Sequence, residues 1–111
     1  MFPITQKDEY TGDNLLHYSI FENKAAFLQK ILHLYENEIN AKNERGNTPF
    51  HYACLKGNLE MVSIFMRRPV KAVGQLKAQP IDLVAENKAG LLPLHLAIAR
   101  SHYFVVHFLL S

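Results

Sequence analysis

Six histidines and one cysteine are the side chains of this sequence best suited to bind a metal or to take part in proton or group transfer. Such chemistry needs defined spacing. Two ligands on one helix face stand three or four residues apart, and a nucleophile needs an activating base. His33, His102 and His107 fall on the second helix of their units, and His102 and His107 are five apart, a poor interval for sharing an ion. No His-Glu-x-x-His pattern, cysteine pair, Asp-rich calcium loop, Gly-x-Ser-x-Gly elbow or phosphate-cradling glycine loop occurs. Cys54 follows Ala53 on an inward-facing phase and reads as a small buried hydrophobe. Asp8, Glu9 and Asp13 fall in a turn, where solvation and turn formation account for them. The sequence therefore predicts no metal, no cofactor and no catalytic centre, and so not an enzyme.

The other three histidines mark a repeat. Gly12-Asp-Asn-Leu-Leu-His17, Gly46-Asn-Thr-Pro-Phe-His51 and Gly90-Leu-Leu-Pro-Leu-His95 align without gaps. Apolar residues follow each His ten, eleven, fourteen and fifteen positions on: Phe27, Leu28, Ile31 and Leu32, then Met61, Val62, Phe65 and Met66, then Val105, Val106, Leu109 and Leu110. That spacing is one face of an amphipathic helix. The His-to-His intervals of 34 and 44 fit a unit of about 33 residues with extra chain before the third. Each unit reads as turn, short helix, second helix and loop. Asn14 and Thr48 suit the first cap, with Pro49 at the first helical position, whereas Leu92 offers no cap. Gly57 suits a left-handed helix end, Asn23 next best, Ser101 less.

These residues resemble the ankyrin-repeat family. Gly46-Asn-Thr-Pro-Phe-His-Tyr-Ala-Cys-Leu-Lys-Gly-Asn-Leu-Glu-Met-Val is close to its pattern, with Phe50 for the usual Leu, and Ile39-Asn40-Ala41-Lys-Asn43 looks like its connecting loop. The resemblance implies an all-α solenoid of three helix-turn-helix repeats with an insertion before the third. The whole chain, 1–111, is then one domain: repeat 1 about 9–41, repeat 2 about 43–66, insertion 67–80, repeat 3 about 87–111. It also implies that His17, His51 and His95 tie helix starts to neighbouring turns. Asn40 resembles an asparagine that an oxygenase hydroxylates in many members, and equally suits a turn whose side chain bonds nearby backbone.

The family resemblance also implies recognition of another protein by a concave surface of turn tips and short helices. The offsets from each His place Tyr10, Thr11, Asp13, Phe21 and Glu22 there in the first unit. Glu44, Arg45, Asn47, Leu55 and Lys56 follow in the second, and Lys88, Ala89, Leu91, Ala99 and Arg100 in the third. A partner with an acidic stretch is expected over Lys56 and Arg100.

Arg67, Arg68, Lys71 and Lys77 form a basic insertion, expected as an exposed loop or an extension of the second helix. Its four charges are a second candidate surface for an anionic partner, phosphate or lipid, but most such runs are merely solvated. With 12 Lys or Arg against 10 Asp or Glu, the net charge of +2 is too small to argue for nucleic acid.

At 111 residues, 49% apolar and 20% charged, the chain has the balance of one soluble domain. It lacks an apolar run long enough to cross a membrane and an apolar signal-peptide core, so membrane contact is not expected and a cytoplasmic setting is. Val105, Phe108 and Leu109 belong to a face that a solenoid normally covers. A fragment of a longer protein is expected, with weak self-association through that face as the other outcome. A bacterial effector released into a host cytosol is the expected setting, because richness in Lys, Asn, Ile, Phe and Tyr is compatible with an AT-rich genome. The competing readings are a non-catalytic piece of an enzyme whose catalytic domain lies elsewhere and a self-associating structural module.

Overall fold

The computed structural model describes residues 8–34, 38–67, 72–73, 76–77 and 81–111. Three helix pairs follow one another: α1 (Leu15–Phe21) with α2 (Ala25–Ile31), α3 (Pro49–Lys56) with α4 (Leu59–Arg67), and α5 (Pro93–Ala99) with α6 (Tyr103–Leu110). A 3-10 turn, Leu32–Leu34, extends α2 and contains His33.

Each short helix starts because a side chain satisfies its open backbone donors. Asn14 Oδ1 accepts the His17 N–H at 3.0 Å, and His17 Nδ1 accepts the Asn14 N–H at 3.0 Å. Thr48 and His51 repeat the exchange at 3.2 and 3.1 Å. The histidine thus fills the role that Glu or Gln takes in a capping box. Leu92 has no acceptor to offer, so the third helix keeps only half of this device, the Leu92 N–H to His95 Nδ1 at 3.0 Å. The short helices end at left-handed residues, Asn23 (φ 59°), Gly57 (φ 69°) and Ser101 (φ 59°). Around Asn23 the chain closes with paired bonds, Asn23 N–H to Ile20 O at 3.0 Å and Lys24 N–H to Ser19 O at 2.8 Å.

The helices form two layers, α1, α3 and α5 side by side and α2, α4 and α6 behind them. Between the layers lie Leu16, Ile20, Leu28, Ile31, Phe50, Ala53, Cys54, Met61, Val62 and Phe65. The Phe50 and Phe65 rings meet edge to face at 5.7 Å. The apolar spacing holds with three exceptions, for Phe27, Met66 and Leu110 are exposed. At the third repeat Val105 is buried, and Phe108 and Leu109 are half-buried. The open apolar residues there are Tyr103, Phe104 and Leu110, which corrects the expected face.

Among the described residues α4 runs to Arg67. Beyond it Ala72–Val73 (β1) pairs antiparallel with Leu76–Lys77 (β2), Ala72 opposite Lys77 and Val73 opposite Leu76. At these described residues the insertion is a pair of short strands and not a continuation of α4. Of its four cations, Arg67 is exposed, Lys77 lies in β2, and Arg68 and Lys71 lie outside the described residues.

Candidate partner-binding surface

The surface is built from three turns locked to one another. Asn43 Oδ1 accepts the N–H groups of Arg45 and Asn47, both at 3.0 Å. Asn87 does the same for Ala89 and Leu91 at 2.9 and 3.0 Å. In the first turn Asp8 takes this place, accepting from Tyr10 at 2.8 Å and Thr11 at 3.0 Å. Those two backbone donors, Thr11 first, hold the Asp8 carboxyl below its ordinary 3.8.

Successive turns then bond directly. The Glu44 N–H donates to Thr11 O at 2.9 Å, and the Lys88 N–H to Arg45 O at 3.0 Å. So close an approach needs glycine at the tip. A Cβ on Gly46 (φ 77°) would stand 2.7 Å from the Lys88 nitrogen. Two of the repeat histidines, His17 and His51, complete the link as the resemblance implied. His17 Nε2 lies 2.8 Å from Asn47 O, and His51 Nε2 lies 2.9 Å from Leu91 O.

Between the first and second turns this framework holds open a groove of about 450 Å³. It gathers Tyr10, Thr11, Asp13, Phe21, Glu44 and Arg45 from the expected surface. Asp8, Tyr18, Asn43 and Tyr52 also line it and were not anticipated as binding residues. Tyr18 and Tyr52 each directly follow a repeat histidine, and that shared phase was the available signal. The aromatic rings are accessible: Tyr10 is 87% exposed, Phe21 58% and Tyr18 49%. Tyr52 lies deeper, its ring edge against His17 at 5.2 Å. Its hydroxyl donates to Asp13 Oδ1 at 3.1 Å and accepts from Asn43 Nδ2 at 2.8 Å. Burial, then the Asp13 charge, pushes the Tyr52 phenol up to about 12, so it stays a donor at neutral pH.

Several expected contact residues have other roles. Asn47 is buried, its Oδ1 accepting from Asn87 Nδ2 at 3.0 Å, so it joins two turns and is not open to a partner. Asp13 stands at the same repeat position and is bonded by Asn43 Nδ2 at 2.8 Å, but it remains part of the groove. Leu55 is half-buried and its carbonyl accepts from His102 Nε2 at 2.8 Å. His102 therefore precedes α6 and ties it to α3, a correction to its expected place on the helix. Lys56 sets its ammonium 4.6 Å from the centre of the Phe21 ring. Glu22 is exposed beside Phe21. Lys88, Ala89, Leu91, Ala99 and Arg100 are exposed on the third repeat but do not line the groove. Asn40 is half-buried, and its Oδ1 accepts the Asp82 N–H at 3.0 Å, a bond that spans the insertion.

Cys54 is fully buried, and that burial pushes its thiol up to about 12. Among the described residues no three of His, Cys, Asp and Glu are grouped to hold a metal, and no helix is long and apolar enough to cross a membrane.

Stacked helix pairs with hydrogen-bonded turn tips define a solenoid scaffold, the class of protein that presents a continuous surface to a partner. The profile for ankyrin repeats (3 copies) matches residues 16–111, and the chain belongs to the ankyrin-repeat family. It is 33% identical to the probable 26S proteasome regulatory subunit p28 of Saccharomyces cerevisiae, over 97% of this chain and 44% of that protein. It is 29% identical to mouse NF-kappa-B inhibitor zeta, over 89% of this chain and 13% of the relative. It is 30% identical to human SMC5-SMC6 complex localization factor protein 1, over 95% and 9%. The chain thus spans less than half the length of these relatives. All three are eukaryotic, and they lend no support to the expected bacterial effector. A chain in the crystal structure of the yeast ribosomal protein Rps3 in complex with its chaperone Yar1 shares the fold. Its TM-score is 0.79 at 20% identity, over 94% of this chain and 69% of that one.

Proposed function

We propose that this chain is a non-catalytic recognition module that binds a partner protein in the groove between its first and second turns. Ankyrin repeats are protein–protein interaction modules, and the relatives bear the names of a regulatory subunit, an inhibitor and a localization factor. The observation that carries the choice of surface is the exposure of Tyr10, Tyr18 and Phe21 around one rigidly framed groove. Exposed aromatics on a preorganised frame have the character of binding hot spots, because they bury large area with little loss of side-chain freedom. Lys56 lies over Phe21, so it belongs to this aromatic rim and is not a free basic anchor for an acidic partner. A cytoplasmic setting remains part of the proposal.

Photo-crosslinking tests it. The chain is prepared with p-benzoylphenylalanine in place of Tyr10, and separately in place of Gln29, which is exposed on α2. Irradiation in lysate is expected to give a discrete protein adduct from position 10 and none from position 29. Equal adducts from both, or none from position 10, would reject the groove.

A second reading, self-association, is favoured by the exposure of Tyr103, Phe104 and Leu110 on α6. Light scattering that shows a dimer lost on Phe104→Glu would support it, and a monomer at high concentration would remove it.

A further inference from the structure

We propose that the groove between the first two turns is a receptor for a cationic side chain, and that the partner segment it takes is an extended, arginine-bearing peptide. This rests on the groove being the recognition site and adds the chemistry of what enters it. Three carboxylates, those of Asp8, Asp13 and Glu44, line the groove against one guanidinium, Arg45, and the Lys56 ammonium stands at its Phe21 rim. None of the three acids makes an ion pair among the described residues. Their excess is local, since the whole chain carries a formal charge of +2.

The aromatic walls point the same way. Tyr10, Tyr18 and Phe21 are exposed, and an aromatic face attracts a cation through its quadrupole. The Lys56 ammonium sits 4.6 Å from the Phe21 centroid, so that ring is already engaged, and Tyr10 and Tyr18 are the rings open to an incoming cation.

The carboxylate of Asp13 is prepared for the role. Asn43 and Tyr52 both donate to its Oδ1, which fixes the group and leaves its other oxygen without a partner among the described residues. A guanidinium combines both recognitions. Its edge donates to carboxylate oxygens in pairs, and its plane stacks on an aromatic ring. An extended peptide rather than a single small cation is expected, because the groove is lined by residues of two successive turns.

The test is an NMR titration of the isotope-labelled full chain with three nonapeptides, alternating glycine with arginine, with glutamine or with glutamate. The arginine peptide is expected to shift the amides of Tyr10, Phe21 and Glu44. Its affinity should fall on the order of tenfold in Asp13→Asn/Glu44→Gln, and should weaken as salt is raised. Asn in place of Asp13 keeps an acceptor for Asn43 and Tyr52, so the turn is preserved. Groove shifts by the glutamine or glutamate peptide equal to those by arginine would overturn the cation while leaving the groove a recognition site. No groove shift by any of the three up to millimolar peptide would overturn the cation receptor, and the crosslinking result then decides the groove separately.

Discussion

His51 and Leu91 are joined across the boundary between the second and third repeats, Nε2–H donating to the Leu91 carbonyl oxygen at 2.9 Å. The Thr48 N–H donates to the ring's Nδ1 at 3.1 Å, so Nδ1 is unprotonated and the proton sits on Nε2. One neutral tautomer thus caps its own helix and holds the next turn. His17 has the same placement, bonded to Asn47 O. His95 caps its helix but has its ring exposed.

Replacing His51 with Ala removes both bonds and leaves the Thr48 donor and Leu91 acceptor unserved. We expect a loss of about 3 kcal/mol in urea unfolding, from unsatisfied buried groups and a lost buried ring. His95→Ala, which removes only a cap at an exposed position, should cost about 1 kcal/mol. Equal losses would contradict the bridging role.

Stability should also fall in mild acid. Burial holds the His51 imidazole below its ordinary 6.5, despite the opposing pull of the Leu91 carbonyl. The unfolded chain therefore binds the extra proton first. The contribution is fully present above pH 6.5 and is lost as pH falls from there toward the depressed folded value. Urea midpoints at pH 7.5, 6.5 and 5.5 should decline in that order, and His51→Gln should flatten the decline.

Two of the three repeat-turn glycines, Gly46 and Gly90, should respond differently to alanine. Both Gly46 and Gly90 have φ 77°, which strains any residue with a Cβ by about 1 kcal/mol. At Gly46 the added carbon also meets the Lys88 backbone, whereas at Gly90 nothing lies within 4 Å. Gly46→Ala should therefore destabilise by about 2–3 kcal/mol and Gly90→Ala by about 1 kcal/mol, read by thermal unfolding.

Cys54 should behave as core. With no exposed surface and a thiol pushed up to about 12, it should resist a water-soluble disulfide reagent at pH 8 in the folded chain and react promptly in urea. Rapid labelling of the folded chain would mean that the α3 side of the core opens readily.

The contacts that recur at one phase were legible in the sequence. The capping by Asn14 and Thr48, the left-handed Asn23, Gly57 and Ser101, and the histidine bridges each depend on residues close in the chain or one repeat away. The groove was half legible. Offsets from the histidine brought out Tyr10, Phe21 and Arg45, but Tyr18 and Tyr52 follow the histidine directly, a position the offsets passed over. Asn47 was misplaced because a polar residue at a turn reads as exposed, whereas the Asn87 amide covers it from the next repeat. The seating of Lys56 on Phe21 joins variable positions of different repeats, where no periodicity gives the pairing.

Recognition in the groove is tested by the affinity of a crosslinked and then purified partner. Calorimetric titration of that partner into wild type and into Tyr10→Ala/Phe21→Ala should show a loss of about tenfold or more, with the unfolding midpoint of the variant little changed because both rings are exposed. An unchanged affinity in a folded variant would contradict it and move the binding surface elsewhere on the solenoid.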